Sequence, residues 1–218
     1  MRKWIPALVI IIAFGASAAV YQDLPQRMPT HWNMSGEVDG WSSLPWAAFM
    51  MPVMLLALLA IFHLLPRIDP RRASYAKFKG TYDVLVVTMM VALLGVHLMM
   101  LATALGRNVS VARVVPAGVA ILFIIIGNLL PRTRPKWFIG IRTPWTLSSD
   151  RVWERTHRFG GRLFVAAGAV IMLTALFAPT WANAVLIGCA GVVAVGLLIY
   201  SYVTWKSGPE SGNASRRA

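Results

Sequence analysis

His31, Glu37 and Asp39 stand close together in the segment 21–45, and Glu154 and His157 stand three apart further along the chain. The first three are residue types that ligate a metal or move a proton, and the second pair could act together on one proton. Neither group has a pattern that carries such chemistry alone. The first lacks the His-x-x-x-His or Glu-x-x-His spacing that sets two ligands on one helix face. No Ser or Cys nucleophile and no second carboxylate stands beside the second in sequence. His63, Asp83, His97 and Asn128 lie in or at the ends of apolar runs, where an ionisable residue is a functional candidate by default. The ordinary alternative for the deepest of them, His97, is a neutral imidazole hydrogen-bonded to a neighbouring helix. One reading of His31, Asp39, His97 and His157 is therefore a membrane-embedded enzyme, such as a metal-dependent hydrolase, or a small-solute or proton transporter. The other, which the missing spacing favours, is a protein that is not an enzyme and holds no cofactor or metal. Cys189 is the sole cysteine, so neither a disulfide framework nor a thiolate metal site is expected.

The elements that must position these residues are set by hydropathy. With 57% hydrophobic and 13% charged residues and a mean hydropathy of +0.63, the chain departs from soluble usage. Six stretches approach the roughly 17–25 residues that cross a hydrocarbon core as a helix. They lie near 4–20, 46–65, 82–105, 111–130, 163–181 and 183–205, with a tight hairpin between the last two at Pro179. Lipid admits only helices or closed barrels, and no period-two alternation runs through these segments. The expected fold is all-α: a polytopic membrane bundle of about six transmembrane helices.

Placing both termini in the cytoplasm puts 18 of the 21 Lys and Arg inside, against Arg27, Arg107 and Arg113 outside. That asymmetry follows the rule that cytoplasmic loops retain basic residues. It also accounts for the net charge of +13 without direct nucleic-acid binding, since anionic lipid of the inner leaflet is the nearer partner. The first helix begins like a signal peptide and carries Ala16-Ser17-Ala18, but its unbroken run from Trp4 to Val20 exceeds a typical apolar region of roughly 7–15 residues. It is expected to be retained.

Outside the spans, 21–45 reads as a compact outer lid. Pro25 and Pro29 favour extended backbone before them, Asn33 to Gly36 offers a turn, and Trp32, Trp41 and Trp46 suit the headgroup zone. In the simplest account Asp39 caps the turn and His31 bonds backbone. On the other side, 131–162 reads as a cytoplasmic platform. Pro131 and Pro135 end the fourth helix, and Ser148 or Ser149 caps an amphipathic interfacial helix near 149–160 with Asp150 in its first turn. Val152, Trp153, Thr156 and Phe159 share one side of that helix, placed to meet the acyl boundary or the bundle. Arg151, Arg155, Arg158 and Arg162 form a basic stripe on the other.

Two motifs carry a resemblance. "LPQRMPTHWNMSGEVDGW" is similar to the outer motif of a small domain of unknown function. "GNLLPRTRPKWFIGIRTPWTLSSDRVWERTHRFGG" resembles the core signature of the SdpI family of bacterial membrane proteins. The resemblance implies immunity to a secreted peptide toxin met outside, and signalling in which the toxin-engaged protein captures a cytosolic repressor. The three Trp, the prolines and the acidic pair of the lid, near a bilayer surface, make it the expected ligand-facing element, with His31, Trp32, Asn33, Gly36, Asp39 and Trp41. The resemblance also marks a platform with Asn128, Gly140, Arg142, Thr143, Pro144, Trp145, Trp153, Thr156, His157 and Gly160. The chain then divides into 1–65, a helix pair with the lid; 66–110, a basic inner loop and third helix; 111–205, the SdpI-like core; and 206–218, a disordered tail. The expected location is the cytoplasmic membrane, multi-pass. No oligomeric state follows from the sequence.

Overall fold

The computed structural model describes residues 4–70, 79–135 and 139–209. Among them are seven α-helices and one two-stranded sheet: α1 (Ile5–Val20), β1 (Arg27–Trp32), β2 (Val38–Ser43), α2 (Trp46–Ile68), α3 (Lys79–Ala104), α4 (Val111–Leu129), α5 (Pro144–Ser148), α6 (Asp150–Phe177) and α7 (Pro179–Lys206). All except the short α5 are long and apolar enough to cross a membrane. The chain is a multi-pass membrane protein. One end of the bundle carries the β-hairpin; the opposite end carries the basic connections. The expected tail lies, from residue 210, outside the described residues, as do Trp137 and most of the basic loop after α2.

The helices pack as two groups. In the first, α1, α2 and α3 enclose Val9, Ala13, Leu55, Val86 and Met90. In the second, α4, α6 and α7 join along a seam of small residues. A Cβ added to Gly127 would lie 2.7 Å from the Gly161 carbonyl oxygen, and one added to Gly168 would lie 2.8 Å from that of Ala120. Where lipid is as apolar as a side chain, this close approach of backbones, rather than exclusion of water, holds helices together. Between the groups, α3 and α4 leave an apolar groove of about 450 Å³, bordered by Val91, Gly95, Val114 and Gly118.

One boundary differs from expectation. The amphipathic stretch 149–160 is not a separate interfacial helix: it forms the opening turns of α6, which continues without a break into the fifth span. Gly160 and Gly161 suggest an ending but are buried contact points instead. Gly161 meets α4, and a Cβ on Gly160 would lie 2.7 Å from Ile141 Cδ1. The tight packing that needs glycine here offsets the helix propensity it lacks. The expected hairpin at Pro179 is present, with Ala178 alone between α6 and α7.

Candidate functional site

The outer lid is an antiparallel β-hairpin. Asn33 organises its turn: the Asn33 side-chain oxygen accepts from the backbone N–H of Ser35 (2.9 Å) and Glu37 (3.0 Å), and its amide donates to Glu37 Oε2 (3.1 Å). This is the Asx geometry that lets an asparagine imitate a backbone turn. Gly36 completes the turn at φ +83°, where L side chains are strained, and a Cβ there would sit 2.9 Å from Ala112 N at the start of α4. The tip is also tied to the last helix, because Asn183 Nδ2 donates to the Met34 carbonyl at 2.6 Å. The hairpin thus grows from the first helix group and rests on the second.

Asp39 does not cap the turn, and His31 does not serve backbone. They pair with each other across the strands, His31 Nδ1 to Asp39 Oδ1 at 2.5 Å, on the exposed side. Gly40, opposite His31, makes room for this: a Cβ on it would fall 2.8 Å from His31 Cβ. Glu37 is turned away toward Asn33, so the three candidate ligands do not converge. Among the described residues no group of three His, Cys, Asp or Glu is placed to hold a metal. Trp32 packs inward beside Leu24 and Met28, whereas Trp41 is half exposed at 51%. Trp46 and Trp181 are exposed nearby on the helices below.

At the basic end, residues 139–149 fold as a cap on the second helix group. Gly140 has φ +114° and lies directly on the stacked rings of Trp153 and His157, which are 4.0 Å apart. A Cβ at Gly140 would meet His157 Nε2 at 2.6 Å and Trp153 carbons at 2.7 and 2.8 Å. The Ile141 N–H donates to His157 Nε2 (2.9 Å), so the proton of this neutral ring is on Nδ1, which donates to the Trp153 carbonyl (2.8 Å). Thr146 Oγ1 donates to the Ile141 carbonyl (2.8 Å) and accepts from the Thr143 N–H (2.8 Å), while Thr143 caps α5 in return. Pro144 at the first turn of α5 needs no donor. Ser149 then caps α6, as expected, by accepting from Val152 N.

The cap is fastened to α7. Trp145 packs on Tyr202 with ring centroids 5.1 Å apart, Phe159 stacks on Tyr200 at 4.2 Å, and Arg151 donates to the Thr204 carbonyl at 2.8 Å. The apolar side of the amphipathic turns therefore faces the bundle, where Val152, Trp153 and Thr156 are fully buried. Trp153 Nε1 and Thr156 Oγ1 have no hydrogen-bond partner among the described residues. Of the basic stripe, Arg151 is half-buried and structural, and Arg155, Arg158 and Arg162 are exposed. Arg142 lies on the exposed side of the cap. Glu154 is not a partner of His157: it faces Arg134 at 3.4 Å, both more than half exposed, and such pairs are worth little.

The four residues of the enzyme or transporter reading are not brought together. His31 and Asp39 are on the hairpin and His157 is sealed under the cap. His97 is fully buried inside the first helix group. There Ser17 Oγ donates to the Ala48 carbonyl (2.6 Å) and accepts from His97 Nε2 (3.0 Å), whose hydrogen also faces the Ala13 carbonyl (3.2 Å). Asn128, exposed at the end of α4, donates to Ile124 O (2.7 Å). Sequence reasoning missed Ser17 and Asn183. The second was legible as the sole amide at the mouth of the last hairpin; the first gave no signal among small residues.

Comparison with known proteins follows these two ends. Residues 132–201, which begin at the close of α4 and take in the cap, α5, α6 and most of α7, match the SdpI/YfhL protein family. This stretch of the chain is similar to that family. Ahead of it, residues 8–56, holding the hairpin and its flanking helices, match a domain of unknown function, DUF1648. The resemblance read from the two motifs holds at both. Over 178 residues the chain is 28% identical to the Immunity protein SdpI of Bacillus subtilis (strain 168), covering 81% of this chain and 83% of that protein. No solved structure matches. The stretch that matches the SdpI/YfhL family thus contains the whole Gly140–His157 cap, and the hairpin lies outside it.

Proposed function

We propose that this chain is an immunity protein of the bacterial cytoplasmic membrane, protecting its cell against a secreted peptide toxin and reporting the encounter to a cytosolic repressor. The observation that carries this is the similarity to the Immunity protein SdpI, which spans both ends of the bundle. The placement of 18 of 21 basic residues on one side supports an orientation with the termini and cap inside and the hairpin outside. In that orientation Trp41, with the His31–Asp39 pair beside it, forms an aromatic and acidic surface at the headgroup level. Cationic or amphipathic peptides arrive at that surface. The opposite face offers Arg155, Arg158 and Arg162 to an acidic cytosolic partner or to lipid. The hairpin tip rests on α4 and α7, and Ile139 beside the cap packs on the first helix group, so both ends straddle the same boundary. A shift of one group against the other would be felt at both.

The test is survival of cells exposed to the secreted peptides of the native host. Trp41→Ala and Asp39→Ala should each lower protection at unchanged abundance in the membrane. Full protection by both variants would remove the hairpin from toxin contact, and full survival of the deletion strain would remove the immunity role itself.

A further inference from the structure

At the basic end α4 and α6 cross so closely through Gly127 and Gly161 that a groove of about 420 Å³ opens beside the crossing. Its wall carries Asn128, Arg158 and Arg162, and no carboxylate lines it. Arg158 and Arg162 are four apart on one helix, where like charges repel. Among the described residues neither has an ion-pair partner. One amide hydrogen of Asn128 is used by Ile124 O, which leaves the second available as a donor. Two unpaired guanidiniums and an amide in one concavity call for an anion with several acceptor oxygens.

The rest of the groove says what the anion is attached to. Val165 and Ala166 line it one turn deeper, and along the same side of α6 the exposed residues continue as Val170, Leu173 and Phe177. The polarity runs from guanidinium to hydrocarbon in the direction of the bilayer interior. Pro131 ends α4 beside Arg158, so the polar end stays open to the headgroup layer. We infer that Asn128, Arg158 and Arg162 form a binding site for the phosphate of an anionic phospholipid whose acyl chains lie along α6. This does not depend on toxin immunity or on any protein partner.

The full chain, purified in detergent, would be titrated with phosphatidylglycerol and separately with phosphatidylcholine. Native mass spectrometry would count retained lipids, and thermal unfolding would verify the fold of each variant. One phosphatidylglycerol per chain should be held preferentially. Arg158→Gln with Arg162→Gln should weaken its retention about thirtyfold, at roughly fivefold for each basic group near an anionic surface. Asn128→Leu, which changes no charge, should also weaken it several-fold, while Arg155→Gln, which lies outside the groove, should leave it intact. Should the double glutamine variant fail to fold, Asn128→Leu against Arg155→Gln makes the same comparison. Equal retention of both lipids, loss in Arg155→Gln equal to that in Asn128→Leu, or displacement by inorganic phosphate at matching concentration would each overturn the assignment.

Discussion

Gly140→Ala is the most informative single change in the cap, because backbone and packing both oppose it. The residue sits at φ +114°, and holding alanine there costs about 1–3 kcal/mol. The new methyl would also lie 2.6 Å from His157 Nε2 and 2.7–2.8 Å from Trp153 carbons, whose rings are at most 1% exposed and have nowhere to retreat. Overpacking of this kind costs about 1–3 kcal/mol. The loop could instead lift away, but only by surrendering the Ile141 N–H to His157 bond and leaving the acceptor Nε2 of the buried His157 unmet, at about the same cost. Overpacking and lifting compete with each other, and the backbone strain adds to whichever is taken, so the expected destabilisation is about 2–6 kcal/mol. Equilibrium unfolding of the purified protein, followed by tryptophan fluorescence, measures it. Gly188→Ala, inside α7, is the control: an added Cβ there meets nothing within 4 Å, so only the gain in helix propensity remains, about 0.5–1 kcal/mol of stabilisation. Because the obstruction is the ring itself, adding His157→Ala should relieve part of the cost, with a coupling of about 0.5–3 kcal/mol. A Gly140→Ala protein as stable as Gly188→Ala, or strictly additive with His157→Ala, would refute the packing described for the cap.

Two further expectations follow. In a Cys189→Ala background, a cysteine at Ser35 should react with an impermeant thiol reagent added to intact cells and one at Ser148 should not; reversed labelling would invert the proposed orientation. Arg142→Lys keeps the charge of the cap but loses the planar fork of the guanidinium, so it should impair protection more than Arg155→Lys at equal abundance, and equal tolerance would show that only charge matters there.

The spans were legible because lipid demands about 20 apolar residues and little else. Their ends were less so where glycines intervene: Gly160 and Gly161 read locally as a stop, and only contact with Ile141 and Gly127 from other elements turns them into packing surfaces. The hairpin was legible as extended backbone around a turn but not as a sheet. In β2, half-buried Val38, Gly40 and Ser42 alternate with exposed Asp39, Trp41 and Ser43, yet a six-residue alternation without strong apolar contrast says nothing of its partner. The Asn33 turn, by contrast, rests on local chemistry and was readable. The place of His157 was not, since it depends on a loop from 16 residues earlier folding back to supply the N–H that the ring accepts.

The histidines bear on what kind of protein this is. Non-helical backbone near lipid must find partners within the protein, because water cannot supply them there. His157 meets that need for Ile141, with its other nitrogen committed to Trp153, so both ring positions are occupied by fixed backbone groups of opposite sense. Picking up a proton at Nε2 would set two hydrogens against each other and detach the loop. A proton shuttle needs a nitrogen that can gain and lose its proton against a reachable partner, and this ring is instead a rivet. His63 is bonded to Leu59 O within its own helix, and His97 links α1 to α3. Among these rings His31 alone pairs with a carboxylate while its side chain remains 71% exposed, and it does so on the hairpin, beside Trp41. At the hairpin end of the bundle, then, an imidazole, a carboxylate and an aromatic surface stand side by side and open to a ligand.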